Sequence, residues 1–227
     1  MAQDMTLLWG SGSPPCWRVQ VALEEKQVKG YKDKLLSFEK MEHKSQEVME
    51  MNPRGQLPAF KWGDKVLNES YAACLFLENQ SQFKSQGTNL TPDCPNELAL
   101  MYQRMFEGFT LGQKAGMVIY YNYLVPEGER HESAVKRNRE ALSAEVKLWE
   151  GYLEKVKGDF MAGRSFTMAD VCFFPNIAYL FHFGLCEKRY PKLAAYYNRL
   201  KTRPSIKTSW PTTWLSNPQK SDLLKDI

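Results

Sequence analysis

Histidine is scarce in this chain, three residues in 227, and none stands close to the serines of the first loop. A serine nucleophile needs such a base beside it, so this absence weakens that chemistry. Close cysteine pairs are also missing. The five cysteines, at 16, 74, 94, 172 and 186, include no Cys-x-x-Cys and leave an odd one over, which excludes a metal-type spacing and a disulfide framework and points to a reducing compartment. Basic excess is slight: 30 Lys and Arg against 26 Asp and Glu leave +4, with no dense block, so nucleic acid is not suggested as a partner. Met1-Ala2-Gln3-Asp4 lacks the basic-then-apolar pattern of a signal peptide. The longest apolar stretch, 171–186, contains Pro175, Asn176 and His182 and is too short to insert comfortably into a bilayer. No internal repeat or low-complexity segment is present. A soluble cytoplasmic protein without membrane insertion is expected, with enough apolar residues for a sizeable core.

What is there falls into two parts. Met5–Trp9 is a compact apolar run ended by Gly10-Ser11-Gly12-Ser13-Pro14-Pro15, which reads as a loop. From Cys16 to Lys26 the pattern is helical, and Lys34–Ser37 supplies a second short strand, giving a βαβ unit with parallel strands. Leu57–Lys61 and Lys65–Leu67 flank Trp62-Gly63-Asp64-Lys65 and read as a hairpin; Tyr71–Leu77 is helical again. A small α/β domain over residues 1–80 is therefore expected, in the order βαβ-ββα. Residues 81–95 are polar, with Gly87, Pro92 and Pro95, and read as a linker. Residues 96–227 are helical in character, with long amphipathic patterns over Asn96–Tyr123 and His131–Lys157. Thr167-Met168-Ala169-Asp170 has the form of a reciprocal helix cap, with aspartate where glutamate is usual.

The stretch Asn52–Ser70 carries most of the chemistry. A proline cannot donate to a sheet ladder, so Pro58 belongs where a loop becomes a strand. A cis Leu57–Pro58 bond would turn the Leu57 N–H and C=O toward a peptide-like ligand. Ser70 opens a helix, whose free N–H groups and dipole favour a carboxylate. Ser11 and Ser13 follow the first strand, just before a helix N-terminus. A hydroxyl there can donate to a bound thiolate and lower the thiol's pKa, although such a serine also serves as an ordinary turn former.

Taken together, Ser13-Pro14-Pro15-Cys16-Trp17-Arg18, Asn52-Pro53 with Gln56-Leu57-Pro58, Glu69-Ser70 and Thr167-Met168-Ala169-Asp170 resemble the cytosolic glutathione transferases across nearly the whole chain. The first loop has no tyrosine, and the chain is similar to the serine-type classes, most of all the rho class, with theta, zeta and delta as relatives. The resemblance implies a thioredoxin-like N-terminal domain, an all-α C-terminal domain and a homodimer. It implies no cofactor beyond glutathione as co-substrate, and no metal. By position, Ser13 would activate the glutathione sulfur, with Ser11 as rival. Leu57 before Pro58 would pair with the cysteinyl part; Glu69 and Ser70 would hold the γ-glutamyl end; His43, Lys44 and Gln56 would meet the glycyl carboxylate. The second substrate would be a hydrophobic electrophile. Its expected pocket lies between the first loop and the first helix of the second domain, with Tyr102, Met105, Phe106, Phe109 and Met117 as candidates and Trp210 or Trp214 from the tail. Two rivals accompany this reading: a glutathione-dependent thiol oxidoreductase working through Cys16, and a non-catalytic ligand-binding protein on the same fold.

Overall fold

The structure, a computed structural model, describes residues 4–84, 86–216 and 221–227. It divides into two compact units, Met1–Thr91 with Thr202–Pro218, and Pro92–Lys201 with Gln219–Ile227.

The first unit is a thioredoxin-like layer built on a four-stranded mixed sheet. Strand β1 (Met5–Trp9) is central because its side chains are apolar on both faces: Met5, Leu7 and Leu8 are all buried. It pairs in parallel with β2 (Lys32–Leu35), Leu7 opposite Asp33, and antiparallel with β3 (Ala59–Trp62), Leu7 opposite Phe60. Strand β4 (Lys65–Leu67) completes the order β2-β1-β3-β4. Gly63, at φ 59, turns the hairpin between β3 and β4, a backbone region where glycine meets no Cβ penalty. Helix α1 (Pro14–Glu25) crosses from β1 to β2 and packs on α3 (Ser70–Asn79); Val19, Ala22 and Leu23 of the one and Ala73 and Leu77 of the other are buried.

Several elements differ from the sequence expectations. Strand β2 starts two residues earlier than Lys34, because it is an exposed edge strand whose first three side chains, Lys32, Asp33 and Lys34, carry no apolar signal; Lys32 and Lys34 give that edge the charge that discourages strand addition. A short helix α2 (Gln46–Met51), preceded by a 3-10 turn over Glu42–Lys44, lies in a segment to which the sequence expectations assigned no element. Within the expected linker, α4 (Ser81–Lys84) buries Phe83. The chain beyond α4 is tied back to the first unit by Lys26, 1% exposed, whose Nζ lies 2.9 Å from Glu78 Oε2 and donates to the Thr88 carbonyl at 3.1 Å. The tail differs most. Residues 202–218, expected to close the helical domain, belong with the first unit and contain α10 (Pro204–Thr208) and α11 (Thr212–Ser216). Arg203 forks onto Glu25 at 2.6 and 2.7 Å, Ser205 donates to the same carboxylate, and the Trp17 indole N–H donates to Ser209 Oγ at 2.9 Å.

The second unit is helical. Its long helices are α5 (Pro95–Ile119), followed by the short α6 (Tyr121–Leu124), then α7 (Glu132–Lys155), α8 (Met168–His182) and α9 (Pro191–Leu200). Helix α8 is apolar all round and every residue from Met168 to Phe181 is buried, so α5 and α9 pack against it as its jacket. Its start carries the reciprocal cap read in the sequence: Asp170 accepts from the Thr167 N–H at 2.9 Å. Among the described residues no helix is long and apolar enough to cross a membrane.

Candidate active site

The loop after β1 is a tight turn closed by the Ser13 N–H donating to the Gly10 carbonyl at 3.4 Å. Gly12 is required by its backbone, and Gly10 leaves room for the Phe38 ring. A Cβ on Gly10 would stand 2.1 Å from the Phe38 ring, and Gly12 sits at φ 78 with the Trp214 indole nitrogen 3.0 Å from where its Cβ would be. Ser13 caps α1, its hydroxyl accepting the Cys16 N–H at 3.4 Å. Pro14 and Pro15 then fill first-turn positions whose N–H groups would otherwise be orphaned.

The two serines differ in what their hydroxyls have left to offer. A serine hydroxyl has one proton and two lone pairs. Ser11 accepts from the Thr213 N–H at 3.1 Å and from Thr212 Oγ1 at 3.3 Å, and shares a bond with Thr213 Oγ1 at 2.9 Å. With both lone pairs filled, its proton goes to Thr213. Ser13 accepts a single backbone N–H, and its other neighbour is the Cys16 thiol, a weak acceptor, so its proton remains available to a stronger one.

Cys16 is fully buried. It takes the Gly10 N–H on its sulfur at 3.4 Å, yet burial pushes its thiol up to about 11, outweighing the opposing pull of Ser13, Gly10 and Arg18. It packs with Leu8, Leu36, Val48, Leu57 and Ala59, which brings the serine loop and the Leu57–Pro58 segment onto one cluster. The Leu57–Pro58 bond is cis, and the Leu57 N–H and C=O have no partner among the described residues. Asn52, 1% exposed, holds this segment from behind by donating to the Gln56 carbonyl at 2.9 Å, while the Gln56 side chain is exposed.

Ser70 is buried at the first turn of α3, and Glu69, exposed, is that helix's cap residue. Behind Ser70 stands Arg18, a buried cation to which the sequence expectations gave no role. It donates to Ser70 Oγ at 3.1 Å and lies over the Tyr71 ring at 4.7 Å. Its signal was a charged residue in the middle of the apolar face of α1. His43 sits 5.3 Å from the Phe38 ring that covers Gly10; burial, then the Lys44 charge, hold it below its ordinary pKa, and its Nδ1 is enclosed without a hydrogen-bond partner. Lys44 donates to the Arg54 carbonyl at 3.1 Å.

Of the apolar candidates, Trp210 and Trp214 meet Trp17 edge-on at 5.1 and 5.5 Å beside the serine loop. Tyr102, Phe106, Phe109 and Met117 are exposed on α5 of the second unit. Met105 is not: at 1% exposed it belongs to the interior of that unit, because the three-and-four spacing that suggested a binding stripe is equally the spacing of core positions. Among the described residues no group of three or more His, Cys, Asp or Glu is arranged to hold a metal ion.

Residues 12–80 match the family described as glutathione S-transferase, N-terminal domain, and residues 113–209 the corresponding C-terminal domain. Over all 227 residues, the whole of both chains, this sequence is 70% identical to glutathione S-transferase A of Pleuronectes platessa. The chain belongs to the glutathione S-transferase family. As a member it is a glutathione transferase with glutathione as co-substrate. Its fold agrees with that of a glutathione S-transferase from the Antarctic clam Laternula elliptica, at a TM-score of 0.85 and 38% identity over 98% of this chain and 99% of that one. A glutathione transferase from Phanerochaete chrysosporium, solved in complex with oxidised glutathione, aligns at a TM-score of 0.73 and 27% identity over 91% of this chain and 96% of the other.

Proposed function

We propose that the first unit of this transferase holds glutathione with its sulfur at the Ser13 hydroxyl and delivers the thiolate to hydrophobic electrophiles. The observation that carries this reading is the difference between the two serine hydroxyls: Ser11 has its proton committed to Thr213, whereas Ser13 has one to donate, at the N-terminus of α1. A hydrogen bond to the charged form and the positive end of a helix both favour thiolate over thiol. Each pH unit by which the pKa falls is about 1.4 kcal/mol, and holding the thiolate beside its target adds to that.

The tripeptide's backbone would pair with the unpartnered N–H and C=O of Leu57 beside Pro58. Its γ-glutamyl end would meet Glu69 and Ser70, and its glycyl carboxylate would meet Lys44, Gln56 and a neutral His43. The crystallised relative in complex with oxidised glutathione supports a site for a glutathionyl group on the fold. Apolar surface for the electrophile would come from Trp210 and Trp214 within the first unit; Tyr102, Phe106, Phe109 and Met117 are exposed candidates on α5 within the second. Assignment to the serine-type transferases, most like the rho class, a homodimeric assembly and a cytoplasmic setting belong to the same proposal. Burial of Cys16, with its thiol near 11, weighs against the oxidoreductase alternative, since the thiolate is the reactive form.

The test is conjugation of glutathione to an aromatic chloride, followed spectroscopically for the native chain, Ser13→Ala and Cys16→Ser. Ser13→Ala is expected to lose about tenfold in rate near pH 6.5 for every unit the thiol pKa rises, with glutathione affinity retained; Cys16→Ser is expected to keep its rate. A Ser13→Ala variant with the native rate at all pH values refutes the mechanism.

A further inference from the structure

The Ser13 carbonyl accepts the Trp17 N–H at 2.9 Å as the first bond of α1, but its hydroxyl and N–H are held weakly. Its cap bond to the Cys16 N–H is long, at 3.4 Å, and so is the turn bond to Gly10. The residue before it, Gly12, sits at φ 78, where glycine explores backbone space at little cost. The loop is instead fixed one residue further back. Ser11 is bonded by Thr212 and Thr213, 202 residues away in sequence for the shortest of these contacts, and the Trp214 side chain lies against Gly12. All of these residues belong to one compact unit.

We propose that Thr213 is a positioning residue for the transferase reaction: by saturating the Ser11 hydroxyl it fixes the Ser11-Gly12-Ser13 backbone and so aims the Ser13 proton at the glutathione sulfur. This rests on the reading of Ser13 given above. Three features of the contact carry it. Thr213 engages Ser11 twice, through its own N–H at 3.1 Å and its hydroxyl at 2.9 Å, so both backbone and side chain of the tail register on the loop. Saturating Ser11 also holds its hydroxyl on the tail, so that the Ser11 side chain is fixed together with its backbone. Finally, Gly12 is the only residue between the fixed serine and the working one, so an error in one is passed directly to the other.

A valine at 213 keeps the shape and the backbone bond but deletes the hydroxyl; a serine keeps the hydroxyl. The experiment measures kcat/KM for conjugation of glutathione to an aromatic chloride across pH, together with the ultraviolet thiolate absorbance of enzyme-bound glutathione. It uses the full native chain, Thr213→Val, Thr213→Ser, Ser11→Ala and the Thr213→Val/Ser11→Ala pair. Thr213→Val and Ser11→Ala are expected to move thiolate formation up by about one pH unit and to lower kcat/KM about tenfold on the acidic limb. They should converge with the native enzyme where all bound thiol is ionised, with KM for glutathione unchanged. Thr213→Ser should restore the native profile, and the double variant should be no worse than either single one, because both remove the same contact. A Thr213→Val or Ser11→Ala enzyme with the native pH profile overturns the proposal, and so does an equal loss at every pH. If Thr213→Val fails to fold, by circular dichroism, Ser11→Ala decides alone. A native chain that conjugates nothing overturns the transferase reading itself, a result distinct from a native chain that titrates normally while the variants do not differ from it.

Discussion

Replacing Asp170 by alanine should damage this protein far more than loss of an ordinary helix cap. Asp170 is 0% exposed and accepts four hydrogen bonds: from the Thr167 N–H at 2.9 Å, Thr167 Oγ1 at 3.3 Å, the Met161 N–H at 2.8 Å and the Tyr196 hydroxyl at 3.0 Å. The cap alone is worth about 1 kcal/mol. Alanine also strands the Met161 and Thr167 N–H groups and the Tyr196 hydroxyl in the interior, each at about 1 kcal/mol or more. A total loss of about 4 kcal/mol follows, a large part of the 5–15 kcal/mol typical of a folded protein, at about the scale for removing one partner from a buried charged network. Although every partner is a donor, burial still wins, and the carboxyl is raised from 3.8 to about 6. The sign of the pH effect follows. Stability linked to protonating this group is fully present below about 4 and is lost as pH rises through about 6. Alanine has no such dependence, so the gap between native and variant should widen on acidification from pH 7 toward 4, by up to about 3 kcal/mol at about 1.4 kcal/mol per pH unit. Urea unfolding at pH 7, 6 and 5, with matched m-values, measures it. A loss below 1 kcal/mol at pH 7, or a gap that narrows in acid, refutes the reasoning.

The Arg203–Glu25 fork should show the opposite pH trend. Burial alone would raise the Glu25 carboxyl, but hydrogen bonds from Arg203, Ser205 and Thr88 and the Arg203 charge more than offset it and leave it below 4.5. Its contribution is therefore present above 4.5 and lost as pH falls through the folded value. Arg203→Ala should cost about 3 kcal/mol at pH 7 by leaving a buried carboxylate without its cation, and the difference from native should shrink in acid; an unfolding curve that matches native at pH 7 counts against it. Alkylation with iodoacetamide under native conditions should modify exposed Cys94 and spare Cys16, whose buried thiol near 11 keeps its thiolate fraction negligible at pH 7. Modification of Cys16 as fast as Cys94, read by mass spectrometry of peptides, would overturn that account.

Local features were legible in the sequence because their causes are local. Pro58 stands immediately before β3, Gly63 turns the hairpin, and Thr167 with Asp170 opens α8. The strand-helix-strand opening and the helical second half were equally plain from periodicity. What stayed hidden depends on distant contacts. Nothing near Ser11 reveals that Thr212 and Thr213 fill its hydroxyl, and nothing in the proline-rich tail signals that Trp210 and Trp214 meet Trp17. Arg18 was visible only as an anomaly, a charge among apolar neighbours, whose explanation lies at Ser70 on another helix. Met105 shows the same limit from the other side: helical spacing reports a face, and only packing says whether that face looks inward.

Because residues 202–218 complete the first unit, the greater part of the helical unit, Pro92–Lys201, is in topological terms an insertion within it. A ribosome delivers Trp17, Glu25 and Ser11 early and their partners Ser209, Arg203 and Thr213 near the end of synthesis. Domains that close on contiguous sequence can fold as they emerge. The thioredoxin-like half of this chain receives the Arg203 and Ser205 partners of its Glu25 carboxylate only when almost the whole polypeptide has been made.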